Sequence, residues 1–175
     1  MKASFMIANE NIPEELKVTG LTGDFSKTFK DLVLSGFEKY ELMIDDPEKV
    51  DQTKIKYYNK TFNIKMIFLC SGEMAGIAGL SLNDIDDYGR KKAVEKLMLA
   101  IDLASKFGVN INIGRLRGTI YNDGKFKSLE RLAKSLKEID DYILKENKDT
   151  LVLIEPLRED ICPILNSCEE TKSFI

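Results

Sequence analysis

The chain contains no histidine. Any proton transfer it performs must therefore run on Glu, Asp, Lys, Tyr or Cys, and Ser-His-Asp triads, Cys-His dyads and histidine-containing zinc sites are excluded. The acid that stands out is Glu155. In "TLVLIEPLRED" (150–160) a largely apolar run leads straight into that carboxylate and then into a proline. An apolar strand that ends in an acid rarely needs the acid for packing, so Glu155 reads as a functional carboxylate. A second group is "IGRLRG", where Arg115 and Arg117 stand two apart. If the strand continues through them they project the same way and form a fork suited to carboxylate, phosphate or polyol oxygens. An exposed charged loop is the alternative reading. Glu73 sits in a glycine-containing connection, Cys70 closes the run "NIKMIFLC", and Glu41 lies in "KYELMI", where a solvated strand residue is the plainer reading.

These residues need a scaffold that brings them to one edge. Apolar runs at 4–8, 39–44, 63–70, 109–114 and 150–155 read as strands. Between them lie helical patterns. Asp24 caps a helix whose face carries Phe25, Phe29, Leu32 and Val33 and which Gly36 closes. A second helix runs through Val50, Ile55 and Tyr58. A long helix over 84–107 turns Ala93, Leu97, Ala100, Ile101 and Ala104 inward and stops at Gly108. Another over 126–147 buries Leu129, Leu132, Leu136, Ile139 and Ile143. Residues 9–23, 71–83 and 115–125 read as loops, and Ser167 with Glu170 has the capping-box pattern that starts a last helix. Met1, Lys2 and Ala3 lead into the first strand rather than into a signal-peptide core.

Strand and helix thus alternate five times without a hairpin signal, which predicts an α/β fold with a parallel sheet of right-handed βαβ units. All strand C-termini then share one rim, and Asn9, Glu41, Cys70, Glu73, Arg115, Arg117 and Glu155 meet there. Each repeat takes about 35 residues, close to the ~31 per unit of an eight-unit barrel. Five units do not close such a barrel, and an open doubly wound sheet suits the length, although no G-x-G-x-x-G follows the first strand to support dinucleotide binding.

The totals narrow the function classes. An apolar share of 43% and a charged share of 31% describe a globular protein of one domain, 1–175. With a mean hydropathy of -0.21 and no apolar run near ~20 residues, a membrane span is not expected, and a cytoplasmic location fits. A net charge of -3 without a basic stripe argues against nucleic acid. Three cysteines without a C-x-x-C pair read as reduced thiols.

"GDFSKTFKDLVLSGFEKYELMIDDPEKVD", "CSGEMAGIAGLSLND", "RKKAVEKLMLAIDLASKFGVNINIGRLRG" and "LVLIEPLRED…ILNSCEE" together resemble the xylose isomerase-like barrel superfamily. Within it they are similar to the sugar phosphate isomerase/epimerase branch, which includes ketose 3-epimerases and endonuclease IV-type barrels. The resemblance runs in order over essentially the whole chain. It implies a (β/α) barrel of TIM type with about five of eight units present, and metal-assisted proton transfer beside a ketose carbonyl.

The resemblance also implies a divalent cation (manganese, magnesium or zinc) held by a Glu at a strand end, matched by Glu155, and by an Asp, a His and a second Glu from later strands, which would fall beyond Ile175. Glu155 is then both metal ligand and catalytic acid/base. Cys70, Gly72, Glu73, Arg115 and Arg117 match positions that line the sugar pocket in relatives, and Glu41, from its place on the rim, joins Cys70, Glu73, Arg115 and Arg117 as a candidate for binding the sugar or sugar phosphate. An expected further acid is replaced by Ile161, with Glu159 or Asp160 as possible substitutes. The chain accordingly reads as a truncated or split member, as one that completes its barrel through a second copy or a complementing chain at the exposed edges of its first and last strands, or as a non-catalytic sugar-binding or assembly module.

Overall fold

The structure, a computed structural model, describes residues 3–16 and 18–175. Met1 and Lys2, ahead of the first strand, and Lys17, in the first loop, lie outside the described residues. Five strands, β1 (Ser4–Ala8), β2 (Lys39–Met43), β3 (Lys65–Cys70), β4 (Asn110–Ile113) and β5 (Val152–Ile154), form one sheet in the order β1-β2-β3-β4-β5. Every neighbouring pair is parallel. Helices α1 (Phe25–Leu34), α2 (Gln52–Phe62), α4 (Asp87–Phe107) and α5 (Lys125–Lys145) form the connections. Two short helices accompany them, α3 (Gly72–Gly76) directly after β3 and α6 (Cys168–Phe174) near the end. The predicted βαβ series is therefore present in full.

Local chemistry accounts for the helix ends. Asp24, Asp51, Asp86 and Ser167 each accept a backbone N–H of the first turn of α1, α2, α4 and α6. At the opposite end Asn63 and Gly108 take the left-handed conformation that stops α2 and α4. The Glu170 side chain reaches the amide of Asn166 rather than that of the capping Ser167.

The two faces of the sheet are unlike. One packs on the helices: Ile7, Tyr40, Leu42, Leu69, Ile111 and Ile113 are fully buried beside α-helical residues such as Phe29, Ile55, Leu97 and Leu132. Phe29 is the hub of an aromatic group, edge-on to Phe25 and Tyr40 and stacked with Tyr58 and Phe62. The other face carries a small cluster of Ala8, Ile12, Met43 and Cys70, with Met6, Val18 and Phe68 against it. Around that cluster Glu41, Asn110, Asn112 and Leu153 are half-buried. A register shift between β2 and β3 at Tyr40/Glu41 gives β3 one extra residue, Ile67, and pairs Glu41 with Phe68.

Several expectations need correction. Val33 is 38% exposed, because it sits beyond the stripe set by Phe25, Phe29 and Leu32, and Thr28 takes the buried place instead. The connection 71–83 is not all loop, since it opens with α3. The strand does not continue through Arg115, where the chain turns into a single 3₁₀ turn, Arg115–Arg117. Nor are both outer strands bare. The Ala8 amide donates to Leu21 O at 2.8 Å and the Leu21 amide to Met6 O at 3.0 Å, so the loop after β1 covers the upper half of that edge.

Phe29→Ala deletes the centre of the aromatic group and should lower unfolding free energy by about 3–5 kcal/mol in urea denaturation followed by circular dichroism. A loss below about 1 kcal/mol would contradict the packing described.

Candidate functional site

Parallel pairing sets the strand ends on one rim, and four loops there build a cleft of about 520 Å³. Its floor is the face of the sheet turned away from the helices, where Met6 and Met43 lie beside Cys70 and Asn112, the last two paired in register. Its walls come from Leu16, Val18 and Thr19, from 72–77 around α3, from Gly114 and Arg115, and from Glu155, Leu157 and Ile161.

The loops are braced to one another. Asn83, fully buried at the end of the second loop, donates to Thr119 O at 2.6 Å and accepts from the Thr119 amide at 3.1 Å, while the Leu82 amide donates to Leu116 O. Gly118 lies at φ +101° between them, and a Cβ there would collide with the Asn83 and Ser81 side chains. The Cys162 thiol of the loop after β5 meets Gly118 O at 3.3 Å, and within that loop Asn166 donates to Leu157 O.

Glu155 stands on this frame. Its amide donates to Ile113 O at 3.2 Å, extending the β4–β5 ladder by one step, so its side chain falls on the same face as Leu153. Its carboxylate is exposed and has no hydrogen-bond or ion-pair partner among the described residues. Gly114 leaves room beside it: a Cβ there would come within 3.4 Å of Glu155 Oε2 and 3.1 Å of Leu157.

The two arginines part company. Arg115 is partly exposed, lines the cleft and pairs through Nη2 with the buried carboxylate of Glu73. Arg117 is fully buried and donates through Nη1 to the backbone carbonyl of Glu155, with Nε and Nη2 unpartnered among the described residues. The expected fork is therefore absent, because the 3₁₀ turn sends the side chains to different surroundings. Arg117 and Glu41 do not line the cleft. Glu41 lies on the sheet face beside it, accepting from Ser4 Oγ at 2.8 Å and from the Cys70 thiol at 3.6 Å. Asn9 is buried and spends its side chain on Asn11.

Burial, and then the negative charge of Glu41, push the Cys70 thiol well above its ordinary range, with Glu155 adding to the same effect. Cys70 is a neutral lining group, not a nucleophile or a thiolate ligand. Asp160 pairs with Arg158 on the exposed surface, while Ile161 lines the cleft, so neither acid nearby replaces the expected carboxylate. Sequence reasoning missed Asn112, Leu157 and the wall of Leu16, Val18 and Thr19. The alternation "NINI" was the signal for Asn112, because a strand inside a parallel sheet ordinarily carries apolar residues on both faces.

A hard divalent cation wants about six oxygen or nitrogen ligands. Among the described residues no group of three or more His, Cys, Asp or Glu side chains is placed to hold one. Glu155 is a lone free carboxylate, so the residues present do not make the divalent-metal site that the resemblance implies.

No protein-family model and no curated protein matches the chain. Solved structures do. D-allulose 3-epimerase from Methylomonas sp. in complex with D-allulose superposes with a TM-score of 0.70 at 17% identity, over 99% of this chain and 58% of that one. The chain shares its fold. The 3-keto-D-glucoside 4-epimerase of E. coli gives 0.70 at 14%, over 99% and 64%, and an AP endonuclease of family 2 from Brucella melitensis 0.60 at 18%, over 90% and 57%. The expected architecture, parallel βα units of a TIM-type barrel, holds. The chain spans 57–64% of the lengths of these three structures. Among the described residues no helix is long and apolar enough to cross a membrane.

Burial also raises the Tyr40 hydroxyl far above its usual value. For both Cys70 and Tyr40 the folded state keeps a proton that the unfolded chain gives up. Stability should therefore be full below pH ~8 and fall as pH passes ~8.5 for the thiol and ~10 for the phenol, by up to ~1.4 kcal/mol per pH unit for each group. Urea unfolding at pH 7, 9 and 10 measures this, and Cys70→Ala should remove the earlier part of the decline.

Proposed function

We propose that residues 1–175 form one domain, the sugar-binding sector of a ketose isomerase or epimerase barrel, and that Glu155 is its acid/base. The observation that carries this reading is the cleft on the C-terminal rim, with an unpaired carboxylate at the end of β5 facing polar groups from three braced loops. A carboxylate so placed can take a proton from the carbon beside a ketose carbonyl and return it on the same or the other face. Asn112, Thr19 and the rim carboxylates offer hydrogen bonds to hydroxyl groups. The fold likeness to epimerases supports the reading at the level of architecture. A divalent cation belongs to this proposal only with ligands from outside the described residues, supplied by further chain or by a second chain at the β5 edge.

A second reading, a non-catalytic sugar-binding module, is favoured by the lack of a group of metal-ligating side chains among the described residues. The experiment that separates the two follows D-fructose in D₂O by NMR, with and without Mn²⁺. Catalysis predicts deuterium at the carbon beside the carbonyl, reduced about 10²–10⁴-fold in Glu155→Gln. Saturable ketose binding without exchange would establish the module instead. Absence of any ketose binding would refute both.

A further inference from the structure

The charges around the cleft do not balance. Among the described residues that line it Arg115 is the one cation, against two carboxylates, Glu73 and Glu155. Arg115 is already engaged by Glu73, which leaves the Glu155 carboxylate without a cation partner among the described residues. Phosphate groups are held by free Arg or Lys side chains or by unengaged N–H groups at a helix start. Here the helix start nearest the cleft carries the Glu73 carboxylate in its own first turn.

The rest of the lining has a different character. Leu16, Val18, Ile77, Leu157 and Ile161 contribute apolar side chains from three separate segments. Leu16, Ile77 and Ile161 are 40%, 39% and 47% exposed, more apolar surface than a ligand made only of hydroxyl groups would cover favourably. The cleft thus mixes hydroxyl-binding groups, Asn112 on the floor and Thr19 and Glu155 on the walls, with apolar side chains on both.

We infer that the cleft selects an uncharged ketose with an apolar end, such as the methyl group of a 6-deoxyketose, over a ketose phosphate, and that Glu73 sets this preference by occupying Arg115. The inference rests on the reading of the cleft as a ketose site. Glu73 is a specificity determinant here: it removes the guanidinium that an anionic substituent would need. Gly76 keeps the pair together, since a Cβ there would run into the Glu73 carboxylate and come within 2.7 Å of Arg115.

Calorimetric titration of the chain in EDTA with D-fructose, 6-deoxy-D-fructose and D-fructose 6-phosphate tests it. The deoxy sugar should bind severalfold more tightly than D-fructose and the phosphate at least about tenfold more weakly, and raising NaCl from about 0.05 to 0.5 M should narrow the phosphate gap by screening the repulsion. Glu73→Gln, which frees Arg115, should bring the phosphate to within about threefold of D-fructose. Arg115→Gln, which leaves Glu73 unpaired, should widen the gap. Tighter binding of the phosphate than of D-fructose in the unaltered chain, or a phosphate affinity that falls with salt, would overturn the inference and leave the ketose reading standing. No binding of any of the three sugars would overturn both.

Discussion

Parallel pairing is the constraint from which the site follows. When all five strands run the same way, every C-terminal residue reaches one rim, and the loops that leave the strands must share that space. The cleft is what those loops enclose. Its floor can carry polar groups because the two faces of the sheet have separate tasks: Ile7, Leu42, Leu69 and Ile111 bury their side chains against the helices, while Glu41 and Asn112 sit on the other face among Met6, Met43 and Cys70. The stabilising core and the site are therefore separable, and polar groups at the site do not interrupt the main hydrophobic contacts.

Arg117 shows the cost of holding the rim. A guanidinium removed from water with a single backbone acceptor and two nitrogens unpartnered among the described residues is unfavourable by several kcal/mol unless packing and the remaining bond offset it. The one bond it makes goes to the carbonyl of Glu155. It fixes the backbone of the residue whose carboxylate faces the cleft, and it joins the turn after β4 to the end of β5. The neighbouring loop is fixed by cheaper means, the paired amide contacts of Asn83 and Thr119.

Element type and order were legible in the sequence because the four long helices carried apolar stripes and α1 and α6 carried capping residues as well. Ala93, Leu97, Ala100, Ile101 and Ala104 all face the core as their spacing requires. The rim position of Glu155 was legible too, since a strand end in a parallel fold has one address. What local pattern could not give was side-chain direction past a strand end. Arg115 and Arg117 have strand spacing, but the 3₁₀ turn that separates them is stabilised by contacts with residues far along the chain, among them Glu73 and Glu155. The short helix α3 was hidden for a similar reason, being a single turn whose Met74 is buried by the tertiary core. Charge neutralisation across 42 residues of separation, as between Glu73 and Arg115, has no local signature.

The main-chain bonds from Leu21 to β1 give the sheet unequal borders. At one border the upper backbone groups are already occupied by the chain's own loop, whereas no strand pairs with the outer side of β5 among the described residues. Of the two borders, the β5 side is therefore the one with its whole outer edge unpaired among the described residues. Two copies related by a two-fold axis and joined through that border would lay β5 against β5 in antiparallel fashion, interrupting the uniform direction of the sheet. Only a segment entering with the same orientation as β5 extends the rim, so strand direction itself acts as the filter on what can be added there.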